Sequence, residues 1–542
     1  MKQDRVWVIV GVLGGLGGCG NNPAPEEPEM PSSPVLTRID AESPGAHCTS
    51  GGIAIHAGLD RNHNGVLDDA EIDRTDYACD GAPEIWTGDF GGAEWMVPEK
   101  VSQLSHLRVI LGSLFIPANT PVSLPLLEYV GGNVQIGDSA TSEVTLPALQ
   151  VIGGGLTVGG APTALHLDNL RSLSSGGIAL NVQAPFRLAL PSLISIGGSL
   201  RATPLAPVTA IDLPALQLVR SSVSLDGMQT MTEISMPHIT EIRGSLVLAG
   251  MPALTTLDIA SLVAVGGAFL LDGMPALHAL QLPLLREAAG LDFAIQLSGF
   301  EELNFPALQD IQDCPVIAAN PRLRSVSFPV LTNMTCLSIY DSPPLASVSA
   351  PMIESLESLA ISGGGGPLAL DFTALTRVRT FVDLRTASLA DLSGLRALTD
   401  ADELTIDHID QLPDLRGLAA LRNLSTLQIT SSRAMTSLVG LGNVTRLGTR
   451  LEIVDNASLR DLAGLQNLTS AALVSVGSNP MLTRLELPRL LSIEGFLSIV
   501  DMPALVSLSG LDPLRSVTGD VVIERDPMLS DPEIVAFRAR VH

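Results

Sequence analysis

The chain has 542 residues, of which 46 % are apolar, 16 % charged and only 3 % aromatic. The apolar content excludes disorder over most of the length, and a chain this long exceeds one ordinary domain unless it grows by repetition. The formal charge of −26 argues against nucleic acid and anionic membrane surfaces as partners, because both are polyanions. Neutral ligands and extracellular cations remain open.

Residues 1–18 have the pattern of an export signal. Lys2 and Arg5 form a short positive region, and the apolar stretch 6–16 that follows is shorter than the roughly 20 residues needed to span a bilayer. Residues 16–19 read Leu-Gly-Gly-Cys, which resembles the bacterial lipobox. That resemblance implies cleavage before Cys19 and attachment of diacylglycerol to its thiol. An ordinary signal peptide with an incidental cysteine is the alternative.

Residues 19–40 are predicted to form a tether, because they are rich in Pro and Glu and carry no hydrophobic pattern. Gly20, rather than Asp, follows the cysteine. By resemblance to enterobacterial sorting rules, this favours the outer membrane. The start of the chain therefore predicts a lipid-anchored protein of the bacterial outer membrane or cell surface.

Residues 41–82 are predicted to form a calcium-loop module. The segment 60–71 fits the EF-hand loop, with oxygen donors at alternate positions, glycine at the sixth place and glutamate at the twelfth. This spacing brings together the hard oxygens that Ca²⁺ requires, and a structural role is expected for the ion. The predicted ligands are the side chains of Asp60, Asn62, Asn64, Asp68 and Glu71 and the backbone carbonyl of Val66.

The segments that flank the loop predict an unusual setting. Residues 53–59 alternate like a strand, and only the outgoing residues 69–77 are interpreted as a helix. The module therefore resembles dockerin-like or solitary calcium loops more than a paired EF-hand.

Cysteines and histidines surround the same loop. Cys48 and Cys79 bracket it and are predicted to pair, because an exported module this small lacks enough core to hold itself. Zinc is disfavoured, because the spacing of the nearby histidines fits no standard zinc pattern. These histidines are His47, His56 and His63.

From residue 83 onward the chain repeats. An x-Pro-x-Leu unit, with substitutions, begins at 213, 236, 259, 282, 305 and 328, so that one unit recurs about every 23 residues. Its fourth position can be followed through 18 places, here called landmarks, at nearly equal intervals. The landmarks are Leu127, Leu149, Leu170, Leu193, Leu216, Ile239, Leu262, Leu285, Leu308, Leu331, Ile353, Leu375, Leu398, Leu421, Val444, Leu468, Leu490 and Leu514.

Each repeat also contains a short alternating run, such as residues 244–248, which predicts a strand. A second corner follows, as in Asn-Pro-x-Leu at 320–323. One repeat is therefore one coil, and successive coils pair their strands in parallel about 4.8 Å apart, so that about 18 coils form a rod of roughly 80 Å. A disulfide between Cys314 and Cys336 is predicted, because both lie at the same distance before equivalent corners in adjacent coils.

This repeat resembles that of the receptor L-domain superfamily over about 90–515. The resemblance implies a mainly β, right-handed parallel β-helix, or leucine-rich solenoid, that serves as a binding module, with its boundaries placed at 83–515. The glycine run 363–366 and a changed corner over 372–470 suggest two or three fused sub-domains. Residues 516–542 are predicted to supply the last coil and a capping helix at 531–541, with Ile534, Phe537 and Val541 on one face.

The outward strand positions predict binding or adhesion without catalysis. They are small, polar and mixed, and no run of Asp or Glu was found at strand positions of neighbouring coils, as a β-helix enzyme would need. The local group Asp407, His408 and Asp410 is interpreted as part of a turn. Trp86, Trp95, Tyr77, Tyr129 and Tyr340 are too dispersed to form a sugar-binding groove. The outward positions include Gln135, Thr157, Arg201, Ser224, Ser338, Thr405, Gln428, Glu452 and Ser498.

The expected partner is therefore the membrane, through the lipid, together with an unknown extracellular protein or polysaccharide. A passive structural protein of the envelope and a β-helix enzyme acting on polysaccharides are the alternatives.

Overall fold

The structure is a computed structural model that describes residues 35–48, 52–59, 61, 66–79, 85–91, 104–116, 121–137, 143–204, 206–288, 293–363 and 365–541. The predicted signal sequence, Cys19 and the first part of the tether lie outside these residues. Within the described ranges, no helix has both the length and the apolar character needed to cross a membrane.

The N-terminal module is an antiparallel sheet of three strands, β1 Val35–Glu42, β2 Gly52–Leu59 and β3 Ile72–Cys79, in the order β1-β2-β3. The module therefore starts at Val35, inside the range that the sequence assigned to the tether. The helix predicted for 69–77 is wrong, since only a 3-10 turn, Asp69–Glu71, precedes β3. Pairing along β2 supplies the backbone partners of β3, and such tertiary contacts override weak helix propensity.

The rest of the chain is a solenoid whose coils each add at least one strand to a long parallel sheet, here called the main sheet. Its strands are Phe90–Gly91, Leu114–Ile116, Val134–Ile136, Leu156–Gly160, Ile178–Val182, Leu200–Ala202, Val223–Asp226, Leu246–Ala249, Phe269–Asp272, Phe293–Gln296, Val316–Ala318, Cys336–Tyr340, Ser355–Ser362, Arg377–Arg385, Asp400–Asp407, Thr426–Thr430, Arg446–Val454, Ser470–Gly477, Ser492–Ile493, Leu497–Val500, Ser516–Val517 and Val521–Glu524.

A second parallel sheet of short strands forms another side of the solenoid. Its strands are Ile85–Trp86, Val109–Ile110, Tyr129–Val130, Val151–Ile152, Ser172–Leu173, Ser195–Ile196, Leu218–Val219, Glu241–Ile242, Ala264–Val265, Glu287–Ala288, Asp310–Ile311 and Asn333–Met334. From Ser355 onward this column continues inside the longer strands of the main sheet, where Ser355 pairs with Arg377 and Arg377 with Asp400.

The third side carries three smaller parallel sheets and then, in the later coils, 3-10 turns. The strands are Val122–Ser123, Glu143–Thr145, Ala164–His166, Phe186–Ala189, Val208–Asp212, Glu233–Ser235, Thr256–Asp258, Glu302–Asn304, Ser325–Ser327, Ser347–Ser349, Pro367–Asp371 and Ser388–Leu389. The turns are Ser393–Leu395, Arg416–Leu418 and Ser509–Leu511.

One continuous core runs inside the solenoid from Phe90 to Val541. All 18 landmarks have 0 % exposure, so the leucine frame inferred from the sequence is confirmed. The core and the main sheet continue past the glycine run, where Ser362 pairs with Arg385. The fused sub-domains suggested by the sequence are therefore not seen as separate cores.

Cys314 and Cys336 form the predicted disulfide, with their Cα atoms 4.5 Å apart. They lie in adjacent coils, because Val316 pairs with Ser338 two positions further along both strands. The bond joins neighbouring turns of the solenoid.

The corner after the main sheet has the same backbone geometry in many coils. From Gly227 to Arg525, fourteen successive coils place a residue with positive φ there, and ten of these residues are not glycine. The next position often holds a buried polar residue such as Asn320, Asn456 or Asn479, each with 0 % exposure. Their amides donate to main-chain carbonyls at 2.8–3.1 Å. This explains the Asn-Pro-x-Leu corners of the sequence.

The predicted capping helix is confirmed as α1, Asp531–Val541. Phe537 and Val541 are buried against the last coil, and Ile534 packs beside them. The backbone N–H of Leu508 donates to the Glu533 carboxylate at 2.7 Å. The helix thus covers the apolar end of the stack.

Candidate binding site on the main sheet

A single column of side chains runs along the outer surface of the main sheet. Register pairs place all nine outward residues named from the sequence in this column. In chain order it contains Phe115, Gln135, Thr157, Ala179, Arg201, Ser224, Val247, Leu270, Ala294, Val316, Ser338, Ala360, Asp383, Thr405, Gln428, Glu452, Ser475, Ser498 and Val522.

Charged and amide side chains concentrate on four successive strands of this surface, from Arg377–Arg385 to Arg446–Val454. We call this group the polar patch. It consists of the outward-facing side chains Asp383, Arg385, Glu403, Thr405, Asp407, Gln428, Thr430, Arg450 and Glu452.

Hydrogen bonds connect the polar patch across strands. Gln428 Nε2 donates to Glu403 Oε1 at 3.3 Å, and Thr430 Oγ1 donates to Asp407 Oδ1 at 2.6 Å. Two arginines neutralise carboxylates on their own strands, Arg385 with Asp383 at 2.7 Å and Arg450 with Glu452 at 3.0 Å.

Dense packing covers part of the patch. Thr405 keeps only 4 % exposure although it faces outward.

Charge pairing also orders the patch. The hydrogen bond from Arg385 to Asp383, with the nearby charges of Asp407 and Glu403, raises the pKa of Arg385. The patch is therefore an ordered surface of donors and acceptors.

Carboxylates do not recur on successive strands within any one column of this region, but four of them lie on the same surface. Asp383, Glu403, Asp407 and Glu452 lie on neighbouring strands of one surface. These carboxylates occupy three different columns of the sheet. A comparison of one repeat position across successive coils therefore does not bring them together. Side chains on adjacent strands come together across such offsets.

The His408 group behaves as the sequence interpretation expected. His408 lies at the corner with φ of 55°, and its Nδ1 contacts Asp407 Oδ1 at 2.8 Å. The Asp407 carboxylate oxygen also accepts from Thr430. The histidine is thus an exposed part of a turn.

A groove of about 280 Å³ lies where these strands bend from the second side into the main sheet. We call it the corner groove. Its polar lining is Arg377, Arg379, Asp400, Asp402, Asn423 and Ser425. Hydrogen bonds from Thr399 at 2.5 Å and Asn423 at 2.6 Å lower the pKa of the Asp400 carboxyl, so that it stays ionised. Two arginines and two aspartates balance the formal charge of the lining.

Phe381 lies between the corner groove and the polar patch. The residue is 38 % exposed. It follows a register irregularity that begins after Val378, and it pairs with Glu403 on the next strand. The sequence interpretation missed it, because it looked for ring platforms among Trp and Tyr alone. Its outward orientation follows from strand alternation, since Val378, Val382 and Leu384 are buried.

The candidate calcium loop forms the connection of a β-hairpin, between the end of β2 at Leu59 and the start of β3 at Ile72. Glu71, in the closing position, is buried at 4 % exposure, and its Oε2 accepts the backbone N–H of Asp68 at 3.1 Å. A buried carboxylate in the twelfth place fits a closing Ca²⁺ ligand. Val66 is 56 % exposed.

Asp60, Asn62 and Asn64 lie outside the described residues, and within the described part of the chain no three His, Cys, Asp or Glu side chains converge in a metal-binding group. The calcium site therefore stays a prediction. Cys48 is fully buried and disulfide-bonded. The side chain of Cys79 is not described, so their pairing also stays a prediction.

Both histidines described near the loop have other contacts. His47 stacks on Tyr77 with ring centroids 4.0 Å apart, and His56 Nδ1 is 2.7 Å from the Thr75 hydroxyl.

Comparison with known proteins identifies one family over a small part of the chain. Residues 35–79 match a domain of unknown function, DUF7151. This range begins with β1 and ends with β3. None of the curated proteins matches the chain.

Nine chains from solved structures match. One is the crystal structure of the TLR13–ssRNA13 complex, which covers 82 % of this chain and 85 % of that chain at 15 % sequence identity and a TM-score of 0.23.

Proposed function

We propose that this protein is a lipid-anchored surface protein of a bacterial outer membrane that binds an extracellular partner along the main sheet. The observation that carries the proposal is the continuous outward column, which passes through the polar patch beside the corner groove. A parallel solenoid holds such side chains on a rigid backbone, so little conformational entropy is lost when a partner binds.

The N-terminal module supports the same arrangement. Cys19 would carry the lipid and the chain up to Val35 would hold the module away from the membrane. Calcium bound by the loop would tie the β2–β3 hairpin. We expect its role to be structural, because the loop joins two paired strands.

The test of binding uses full-length protein purified in detergent as bait for envelope extracts and surface polysaccharides. We expect a specific component to be retained by the wild-type protein and lost from a variant that combines Arg385→Ala, Gln428→Ala and Arg450→Ala. A control variant in the early coils of the main sheet, Gln135→Ala with Arg201→Ala, should retain it. Equal retention by both variants would show that the patch does not bind the partner.

Anchoring and calcium have separate tests. Mass spectrometry should find an acylated Cys19 at the mature N-terminus, and an unmodified terminus would contradict the anchor. Chelator should lower the melting temperature of the wild-type protein but not of Glu71→Gln. Equal melting of the wild-type protein with and without chelator would remove calcium from the proposal.

An enzyme acting on polysaccharides is the second candidate, because four carboxylates share one surface. All four already have hydrogen-bond or ion-pair partners, which suits recognition better than proton transfer. Release of new reducing ends from a bound polysaccharide would favour the enzyme.

A further inference from the structure

We infer that Phe381, the corner groove and the adjacent part of the polar patch form a binding site for a neutral polysaccharide chain. This inference rests on the proposed binding function and specifies its ligand class. It does not depend on the lipid anchor or on calcium.

The first step is the position of the ring. Phe381 exposes 38 % of its surface on a sheet where most outward residues are small or polar. On the same strand, Arg379 lies on the groove side and Asp383 on the patch side. An exposed ring flanked by polar groups offers an apolar face to the C–H side of a pyranose while its edges stay wet.

The second step is the hydrogen-bonding chemistry around the ring. Glu403, paired with Phe381 on the next strand, already accepts from Thr405 and Gln428. The groove adds guanidinium, amide and hydroxyl donors beside carboxylate acceptors. Closely spaced donors and acceptors of this kind match vicinal hydroxyl groups, which both donate and accept.

Third, the charge of the groove and of the polar patch favours a neutral polysaccharide over an acidic one. The groove lining holds two arginines and two aspartates, and the patch holds four carboxylates against two arginines. The whole chain has a net charge of −26. A polyanion would be repelled by this field, whereas an uncharged polymer is not.

The fourth step is shape. The groove lies at the bend between two sides of the solenoid, and Phe381 follows its lining residue Arg379 two positions later on the same strand. No described side chain of the central column beyond the patch, from Ser475 to Val522, is larger than valine. An extended chain can therefore run from the groove across the ring and along successive coils.

The experiment measures binding of the full-length protein in detergent to immobilised laminarin, mannan and dextran, with polygalacturonate as the acidic counterpart. We expect one neutral polysaccharide to bind, and Phe381→Ala to weaken that binding by about ten-fold or more. Phe115→Ala is the matched control, because Phe115 has the same 38 % residue exposure in the same sheet but lies many coils away from the groove.

A second variant, Asn423→Ala, should weaken binding through the groove, and thermal melting will show whether each variant remains folded. Preferential binding of polygalacturonate, equal loss in both Phe variants, or no binding of any neutral polysaccharide overturns the inference. If Phe381→Ala still captures an envelope component, the proposed function stands while this ligand assignment fails.

Discussion

The side-chain oxygen Oδ1 of Asn479 accepts the backbone N–H of Asn456 at 2.9 Å, so that the buried corner of one coil is bonded to the corner of the coil before it. Asn456 repeats the contact with Ser432 at 3.1 Å. The Asn479 amide also donates to the carbonyls of Ile453 and Gly477. One buried amide therefore satisfies three main-chain groups.

Replacing this amide tests its contribution. Asn479→Ala removes the acceptor of the buried Asn456 N–H and one donor from each of two carbonyls, of which that of Gly477 keeps the Asp455 N–H. An unsatisfied buried group costs about 1–3 kcal/mol. We expect the urea midpoint to fall clearly, while Ser475→Ala, on the outward surface, stays within about 0.5 kcal/mol of wild type. Equal midpoints for the two variants would contradict a stabilising ladder.

Asp526 occupies the same corner in the last coil and has a pH-dependent consequence. Its Oδ1 accepts from Met502 N–H at 2.8 Å, but its buried Oδ2 has no partner. Burial is the main cause that raises the pKa of this carboxyl. The folded protein thus holds the proton more tightly than the unfolded chain, and the stability gained from protonation is lost as the pH rises through the folded pKa.

Asp526→Asn should therefore raise the melting temperature at pH 7, with a gain of about 1 kcal/mol from the restored amide donor. The difference from wild type should shrink as the pH falls and the Asp526 carboxyl becomes protonated. Melting curves at several pH values measure both effects. A less stable variant at pH 7 would show that the charged carboxylate is better accommodated than its contacts indicate.

Gly464 tests the close approach between coils. Its φ is 117°, and a Cβ atom there would lie 1.8 Å from the backbone oxygen of Leu438. Because backbone cannot move aside like a side chain, Gly464→Ala should cost about 3 kcal/mol or more. Gly366→Ala is the control, since a Cβ at Gly366 meets nothing within 4 Å. Chemical unfolding compares the two, and a harmless Gly464→Ala would refute the packing argument.

Two adjacent leucines test the repeat frame. Leu127 is a landmark with 0 % exposure, whereas Leu126 is 50 % exposed. Leu127→Ala should lose about 2–5 kcal/mol through lost burial and a cavity, and Leu126→Ala much less. The difference in urea midpoint is the measurement. Reversed or equal effects would mean that the landmark side chain does not face the core.

The Cys314–Cys336 bond closes a separation of 22 residues. Replacing both cysteines by alanine should cost about 3 kcal/mol, because the unfolded chain regains the freedom of that loop. Peptide mapping of the unreduced wild-type protein should find the two cysteines linked. Alkylation of both without prior reduction would contradict the bond.

The sequence pattern was sufficient to predict those features in which an apolar side chain must be buried. The landmarks, the disulfide rung and the capping helix were all predicted, because an apolar side chain on each coil has to reach the same core. The helix at 69–77 failed, since strand pairing with β2 outweighs the local preference of a short polar segment. The tether boundary failed for the same reason, because the strand character of β1 depends on β2.

The amino-acid sequence by itself thus determined the solenoid, its period and the inward landmark residue of the coils. The reason is that the hydrophobic effect favours burial of the equivalent apolar side chain in each coil. Only the tertiary structure decided which outward side chains meet. Outward positions carry no such selection, and strand pairing places Phe381 beside Glu403 of the next coil. The period of the repeat places outward residues in columns, but the contacts between their side chains, which form the candidate site, are decided by the tertiary structure.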